Sequence, residues 1–255
     1  MPQTSKLVIG ATPEGAADAA SAARAVREMF TSIAPRYDLL NHVLSCNVDR
    51  LWWRRTARAF THILAKPQAQ VLDLCCGTGD MAFALSKQAG NSTPSIFGAD
   101  FSHAMLERAS QKSLAKNGHS TRPQWIEADA LCLPFPSEHF SLVTSAFGFR
   151  NLADYDAGLR EIVRLLRPEG ECGILDFGEP HGAIGPLYRF YFKQILPRIG
   201  AIVSGVRGPY SYLPNSVERF PRPPQMLDRM RRAGFREASW TPYTLGIAGL
   251  YRGKK

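Results

Sequence analysis

The sequence predicts an α/β protein in which helices cover both faces of a mostly parallel sheet. From Val71 onward, strand-like apolar runs alternate with helix-like segments, which is typical of such sheets. The first run ends in Gly77-Thr78-Gly79, just before a helical segment. Glycines at that turn let backbone N–H groups approach a ligand where a Cβ atom would collide. The length of 255 residues fits one domain of this kind.

The elements follow from the apolar runs and from the glycines and prolines between them. The predicted strands before the C-terminal part occupy 70–75, 95–101, 124–129, 140–147 and 171–177. The predicted helices that alternate with them occupy 79–89, 103–116 and 154–167. A helix at 223–233 precedes strands at 236–244 and 246–252, which we expect to form an antiparallel hairpin at the edge of the sheet.

Both ends of the alternating region carry additional segments. Residues 1–20 are predicted to be a loose tail, and residues 21–255 a single domain whose first helix starts at Ala22 and is capped by Ser21. The segment 181–215 interrupts the alternation with prolines, glycines and many aromatic residues. Its four basic residues and its lack of acidic ones suit a helical, aromatic cap that admits a lipid-like substrate, although simple packing on the sheet is an equal alternative.

The net charge of +9 implies a surface that attracts polyanions, either nucleic acid or anionic lipid. No stretch approaches the roughly 20 apolar residues of a membrane-spanning helix, and the N-terminus lacks the apolar core of a secretory signal. The expected location is the cytoplasm, with peripheral contact at the inner face of the cytoplasmic membrane left open. The five cysteines include no C-x-x-C and are predicted to be buried thiols; the six histidines lack metal-ligand spacing, so no metal is expected.

Polar residues at the ends of the predicted strands indicate a ligand site, because ligands bind beyond the carboxyl ends of parallel strands. Asp100 follows the glycines by about twenty residues, where a carboxylate accepts both hydroxyls of a ribose. It equally suits the cap of the helix that follows. Asp129, next to Ala130, is placed to accept a hydrogen bond from an adenine amino group, although a solvated aspartate in a turn is the alternative. A ribose site alone serves NAD and S-adenosylmethionine alike.

Several separated motifs occur together in this chain. They are YDLLN at 37–41, DLCCGTGD at 73–80, LPFP at 133–136, FGFRN at 147–151 and RLLRPEG at 164–170. On these motifs the sequence resembles the ubiquinone/menaquinone biosynthesis C-methyltransferases, a family of class I, Rossmann-like methyltransferases that use S-adenosylmethionine. The similarity extends from about Val26 to the C-terminus.

The resemblance implies a seven-stranded sheet with an antiparallel last strand, and methyl transfer from S-adenosylmethionine to a ring carbon of a prenylated quinol. An N-terminal helical lid around Tyr37 and Asp38 is expected to cover the cofactor. The residues predicted to bind the cofactor are Gly77, Thr78, Gly79, Asp100, Asp129 and Ala130. The chain departs from the common pattern of the class or the family at Asp49, Cys75, Ala146, Asp176 and Gly178, which leaves the chemistry intact and the exact substrate open.

Arg150 and Asn151 are the candidate catalytic residues, because they follow the fourth strand beside the expected methyl donor. A guanidinium is a poor proton acceptor, so Arg150 is assigned to stabilising a phenolate or polarising a water, and Asn151 to orienting either. A structural arginine that bridges the loop to the sheet is the alternative.

Demethylmenaquinol is the expected substrate, with the benzoquinol of the ubiquinone pathway, or both, as the near alternative. The charge of +9 is also compatible with an RNA methyltransferase, which is a more remote alternative. The chain shows no appended RNA-binding module, so no nucleic-acid partner is expected. A non-catalytic protein that binds S-adenosylmethionine is the remaining alternative. The sequence gives no indication of the oligomeric state.

Overall fold

The computed structural model describes residues 10–11, 13, 16–38, 45, 47–115, 121–178, 180, 185–186, 190–191, 194 and 209–255. Its strands are β1 (Gln70–Leu74), β2 (Ser95–Asp100), β3 (Gln124–Glu127), β4 (Phe140–Ala146), β5 (Leu166–Phe177), β6 (Glu237–Tyr243) and β7 (Ala248–Lys254). Its helices are α1 (Ala19–Ile33), α2 (Asp49–Ala59), α3 (Thr61–Leu64), α4 (Asp80–Ala89), α5 (His103–Ala115), α6 (Tyr155–Leu165), α7 (Pro209–Arg219) and α8 (Pro223–Ala233). Short 3₁₀ turns span Ala34–Arg36, Phe149–Asn151 and Thr244–Gly246.

The seven strands form one sheet in the order β3-β2-β1-β4-β5-β7-β6. The five strands from β1 to β5 run parallel to one another, whereas β7 is antiparallel to both β5 and β6. The predicted α/β fold, the antiparallel last strand and the hairpin with β6 at the edge are therefore confirmed. The chain order reverses beside β1, so the ends of β1, β2 and β4 enclose the crevice in which such sheets bind ligands.

The two faces of the sheet pack against different helices. In β1, Val71 belongs to a buried cluster with residues of α2, α3 and α4, whereas Leu72 belongs to a cluster with residues of α6 and α8. Successive side chains of a strand point to opposite faces, so a strand buried on both faces reads as the continuous apolar run found here. The helix α1 instead packs over the ends of the strands, where Ile33 and Met105 share a third cluster.

The boundary between α6 and β5 differs from the prediction. The predicted helix continues to residue 167 and the strand starts at 171, but the helix ends at Leu165 and β5 starts at Leu166. Leu166 pairs with Phe140 in β4, and both side chains are fully buried. Burial of this pair and Pro168, which lacks a backbone N–H, together favour a strand over another helical turn.

The segments outside the sheet are only partly described. The first helix begins at Ala19, because Asp18 caps it and accepts the backbone N–H of Ser21. Within the predicted tail, Ala11 donates its N–H to Leu152 O at 2.8 Å, so this residue is docked on the domain. Most of the predicted 181–215 cap, including the start of its expected helix, lies outside the described residues. No helix in the described part of the chain is both long and apolar enough to cross a membrane.

We expect Phe60→Ala to lower the free energy of unfolding by about 3–5 kcal/mol, because it leaves a cavity in the core. Phe60 is fully buried, and its ring covers Gly173 of β5 so closely that a Cβ atom there would lie 2.6 Å from it. Urea unfolding followed by circular dichroism measures the change. Leu114→Ala is the control, because this side chain is 68% exposed and its loss should cost less than about 0.5 kcal/mol. A cost below about 1 kcal/mol for Phe60→Ala would contradict the expectation.

Candidate active site

A cleft of about 1040 Å³, counting its open mouth, lies at the carboxyl ends of β1, β2 and β4. Six of the eight predicted site residues line it, namely Gly77, Thr78, Asp100, Asp129, Ala130 and Asn151. The other two, Gly79 and Arg150, are not among its lining residues. Its position at the reversal of strand order is where such sheets bind nucleoside-like ligands.

The glycine turn after β1 owes its shape to left-handed backbone at Cys75, Gly77 and Gly79, whose φ angles are +54°, +54° and +87°. Gly79 precedes α4, and a Cβ atom there would lie 2.5 Å from the ring of Trp125. Gly79 is therefore required by packing and by the start of α4. Gly77 faces the cleft, and its N–H donates to Asp100 at 2.8 Å.

Asp100 is buried at the end of β2 and accepts hydrogen bonds from two backbone N–H groups. Its Oδ2 accepts the N–H of Gly77, and its Oδ1 accepts the N–H of Ser102 at 2.9 Å, immediately before α5. Each carboxylate oxygen keeps a second lone pair, so hydroxyl groups of a ligand can still bind. Burial raises the pKa of Asp100 to about 6 against the lowering effect of these hydrogen bonds.

Asp73 is a site residue that the sequence reasoning missed. It lines the cleft from within β1, and burial raises its pKa to about 7. Thr144 donates its hydroxyl to Oδ1 at 3.0 Å, whereas Oδ2 is buried without a hydrogen-bond partner among the described residues. The available signal was an aspartate inside an apolar strand, since a buried carboxylate is costly unless a partner satisfies it.

Asp129 lies in a tight turn after β3, which ends at Glu127, two residues before the predicted boundary. Its Oδ1 accepts the N–H of Leu131 at 2.9 Å, so this carboxylate shapes the turn while it lines the cleft. Cys132 ends the same turn and is exposed, so the prediction of a buried thiol is wrong at this position.

A charged cluster surrounds Thr78. The Thr78 hydroxyl donates to Asp38 Oδ1 at 2.5 Å. The Lys112 ammonium lies 2.7 Å from Asp80 Oδ1 and 3.1 Å from Asp38 Oδ2. Two carboxylates and one ammonium suit the zwitterionic end of an amino acid, because each ligand charge finds an opposite partner. Lys112 and Asp80 were not predicted, since the distance along the chain between α5 and the turn hides their contact.

The N-terminal segment closes one side of the cleft, as expected of a lid. Phe30 of α1 and Tyr37 after it line the cleft, with their rings edge to face at 6.0 Å. The hydroxyl groups of Thr31 and Ser102 lie 3.0 Å apart, and Arg27 contacts Glu127 at 2.5 Å. These contacts join α1 to the ends of β2 and β3.

Arg150 lies behind the cleft in a buried ion pair. Its Nη1 donates to Asp176 Oδ1 at 2.8 Å and also to the carbonyl of Phe147. Its backbone N–H donates to the other carboxylate oxygen at 3.2 Å. The Nε–H is buried without a hydrogen-bond partner in the described part of the chain. Asp176, noted above as a departure from the family pattern, is therefore the partner that fixes this guanidinium.

Three aromatic rings lie beside this ion pair. The centroids of Phe147 and Phe177 are 4.6 Å apart, and Trp52 lies 5.7 Å and 6.1 Å from them. The Arg150 guanidinium is 5.2 Å from the centroid of Phe177. Phe147 also lines the cleft. Phe147 therefore offers an aromatic face on which a flat, electron-rich ring can stack, with the Arg150 cation in the layer behind it.

Comparison with known proteins agrees with this geometry. Residues 18–255 match the profile of the ubiE/COQ5 methyltransferase family. A demethylmenaquinone methyltransferase of Deinococcus radiodurans is 49% identical over 233 residues, covering 91% of this chain and 93% of that protein. A ubiquinone/menaquinone biosynthesis C-methyltransferase UbiE of Geotalea daltonii is 39% identical over 231 residues, covering 90% of this chain and 96% of that protein.

Solved structures show the same fold at low sequence identity. The crystal structure of an S-adenosylmethionine-dependent methyltransferase of Thermotoga maritima aligns with a TM-score of 0.62 at 17% identity. The alignment covers 90% of this chain and 99% of that one. At this identity the likeness shows the fold alone.

We expect the affinity for S-adenosylhomocysteine to fall about tenfold between pH 8 and pH 5, because binding needs an ionised Asp100 whose pKa is about 6. The carboxylate is fully available above this pKa and is lost as the pH falls through it. Isothermal titration calorimetry across this range measures the effect. The Asp100→Asn variant should bind S-adenosylhomocysteine weakly at every pH. Its affinity should also lack the change near pH 6 that the wild type shows. A wild-type affinity that is constant over the range would contradict the assignment.

Proposed function

Because the chain belongs to the ubiE/COQ5 methyltransferase family and is thus an S-adenosylmethionine-dependent methyltransferase, we propose that it converts demethylmenaquinol to menaquinol. The relative from Deinococcus radiodurans, which carries the demethylmenaquinone name, supports this substrate. The observation that carries the proposal is the group of Trp52, Phe147 and Phe177 next to the Arg150 guanidinium. Phe147 presents an aromatic face to the cofactor cleft, and the Arg150 cation lies behind that face, which suits a hydroquinone.

The eight residues predicted from the sequence keep separate roles in this proposal. Asp100 binds the ribose and Asp129 the adenine amino group, while Gly77 and Ala130 line the space between them. Thr78 binds the amino-acid end of the cofactor, and its charged neighbours Asp38, Asp80 and Lys112 support that role. Gly79 acts indirectly by allowing the turn.

The cofactor supplies an activated methyl group on a sulfonium. The protein must hold the ring carbon in line with that methyl group and must favour the ionised quinol, because a phenolate pushes electron density onto the carbon. We assign the second task to Arg150, whose buried Nε–H lacks a protein partner among the described residues. Asn151, which lines the cleft, orients the hydroxyl group or a water. The ring carbon takes the methyl group as its bond to the sulfonium sulfur breaks, the sulfur keeps that electron pair, and the carbon then loses its proton to water.

Because the prenyl tail of such a substrate lies in the lipid bilayer, we propose that the enzyme binds peripherally to the cytoplasmic face of the cytoplasmic membrane. We assign the 181–215 segment to a cap over the tail, within one catalytic domain that spans 21–255. Phe190, one described residue of this segment, is 57% exposed, which suits contact with an apolar tail.

The benzoquinol of the ubiquinone pathway is the second candidate substrate. The relative from Geotalea daltonii is named for both the ubiquinone and the menaquinone pathway, which supports the benzoquinol as a second candidate. Ala146, which lines the cleft where the ubiquinone-type pattern has serine, favours the naphthoquinol.

Incubation with S-adenosylmethionine and each reduced, short-chain quinol should transfer one methyl group to demethylmenaquinol. Mass spectrometry of the extracted quinones identifies the product, and the oxidised quinone is the control, because its ring is too electron-poor to attack the methyl group. Methylation of the benzoquinol alone would refute the primary substrate. Methylation of neither quinol would refute the proposed function.

Arg150→Ala should reduce kcat about 100–1000-fold, since loss of one donor to a developing oxyanion has this effect. The cofactor contacts lie elsewhere, so the affinity for S-adenosylhomocysteine should change by less than about threefold. Stopped assays with demethylmenaquinol and calorimetry measure the two quantities.

The control for this substitution addresses the buried charge that it leaves behind. Removing the arginine strands the Asp176 carboxylate, which is destabilising. The double variant Arg150→Ala with Asp176→Asn removes that charge and should be more stable than the single variant, yet equally inactive. Near-normal turnover in either variant would refute the catalytic role.

A further inference from the structure

We propose that the outer face of α2 and the turn between β6 and β7 form the surface that docks the enzyme on an anionic lipid bilayer. This α2–turn surface consists of Arg50, Leu51, Arg54, Arg55, Arg58 and Leu245. The inference rests on the proposed function, because a prenylated quinol resides in the bilayer. It names the surface that meets the lipid, which neither the family nor the cofactor site specifies.

The helix α2 separates its residues sharply between two faces. Its exposed residues are Arg50, Leu51, Arg54, Arg55 and Arg58, and no acidic side chain is among them. At 100° per residue these five positions fall within an arc of about 140°. Asp49, the one acidic residue of the helix, is buried. A basic face without acidic neighbours on the same helix attracts anionic headgroups, each arginine contributing to the attraction.

Two large apolar side chains accompany these arginines. Leu51 is 51% exposed in the middle of the basic face, and Leu245 is 70% exposed at the tip of the β6–β7 turn. Leu245 and Thr244 both have left-handed backbone, with φ angles of +58° and +46°. Two consecutive non-glycine residues in this region are strained, and such strain concentrates at functional segments. The strained turn presents an apolar side chain to the surroundings, where a glycine would fit the backbone better.

The helix and the turn are held together as one surface. The indole N–H of Trp52 donates to the hydroxyl of Thr244 at 2.8 Å. The Arg55 guanidinium lies 4.1 Å from the ring centroid of Tyr243, which ends β6. The first contact joins the turn to the buried face of α2, and the second joins the end of β6 to the edge of its basic face, so the turn that carries Leu245 is fixed to the helix. Proteins that bind at a membrane surface typically place arginines at the level of the lipid headgroups and insert a leucine deeper, toward the acyl chains.

The opposite face of α2 belongs to the candidate active site. Trp53 lines the cofactor cleft, and Trp52 packs against Phe147 and Phe177 beside Arg150. A helix with its side chains is about 10–12 Å across. Docking through α2 therefore holds the proposed quinol site within about one helix diameter of the headgroups. RNA is a less suitable occupant, because Leu51 and Leu245 offer neither charge to a phosphate nor an aromatic face to a base.

Co-sedimentation with vesicles of phosphatidylglycerol and phosphatidylcholine tests the surface. The triple variant R50Q/R54Q/R58Q should bind these vesicles about a hundredfold more weakly, at about fivefold for each arginine. The matched control R222Q/R231Q/R232Q changes the net charge equally on exposed residues of α8 or its N-cap and should change binding by less than threefold. Three results would overturn the proposal. They are unchanged vesicle binding by the α2 variant, an equal loss of vesicle binding in both variants, and no vesicle binding by the wild type.

A second variant tests the turn without risk to folding. Leu245→Gly relieves the left-handed strain, so its thermal stability should equal or exceed that of the wild type. We expect it to lose vesicle binding that persists at 0.5 M salt. Unchanged binding at that salt concentration would overturn the role of the turn. Salt-sensitive binding to single-stranded RNA that exceeds vesicle binding and disappears in the α2 variant would reassign the surface to nucleic acid.

The vesicle assay and the quinol assay test the two proposals independently. Vesicle binding uses no turnover, and methylation of a short-chain quinol in detergent uses no bilayer. An enzyme that binds vesicles through α2 but methylates neither quinol keeps this surface and refutes the proposed substrate. One that methylates the quinol but ignores vesicles keeps the function and refutes the surface.

Discussion

The carboxylate of Asp100 joins the parts of the site that come from different elements. It accepts the N–H of Gly77 from the turn after β1 and the N–H of Ser102 before α5, at 2.8 Å and 2.9 Å. Both donors are backbone groups, so the carboxylate fixes main-chain positions and with them the width of the cleft. Ser102 in turn contacts Thr31 of α1 at 3.0 Å, which extends the connection to the lid. A group that can bind a ribose thus also holds the pocket in shape.

Close packing under the glycine turn completes this arrangement. The ring of Trp125 fills the space beside Gly79 and Gly98, where a Cβ atom would lie 2.5 Å from it in either case. Gly148, at the end of β4, approaches Cys75 in the same way, since a Cβ atom there would lie 2.4 Å from the Cys75 Cβ. The ends of β1, β2 and β4 can converge because side chains are missing where the loops meet. The cleft is therefore a consequence of tight packing behind it.

The sequence predicted the elements and strand ends better than the contacts between them. Apolar runs and glycines locate β1 and Asp100, because these signals are local in the chain. The buried pair of Arg150 and Asp176 joins residues 26 positions apart, and Thr78 meets Asp38 across 40, so no local pattern reveals either. The start of β5 was missed for the same reason, as its strand pairing with β4 outweighs the local preference for helix.

Two of the buried polar atoms that lack a hydrogen-bond partner among the described residues lie in or next to the cleft wall. Asp73 Oδ2 and Arg150 Nε are buried without partners among the described residues, at the ends of β1 and β4. Each such group costs about 1–3 kcal/mol unless a ligand or an ordered water satisfies it. The first belongs to the cleft wall and the second to the aromatic group beside it. In the reaction we propose, a cofactor amine at Asp73 and a phenolate at Arg150 satisfy these two atoms, so ligand binding removes a cost that the protein carries without its ligands.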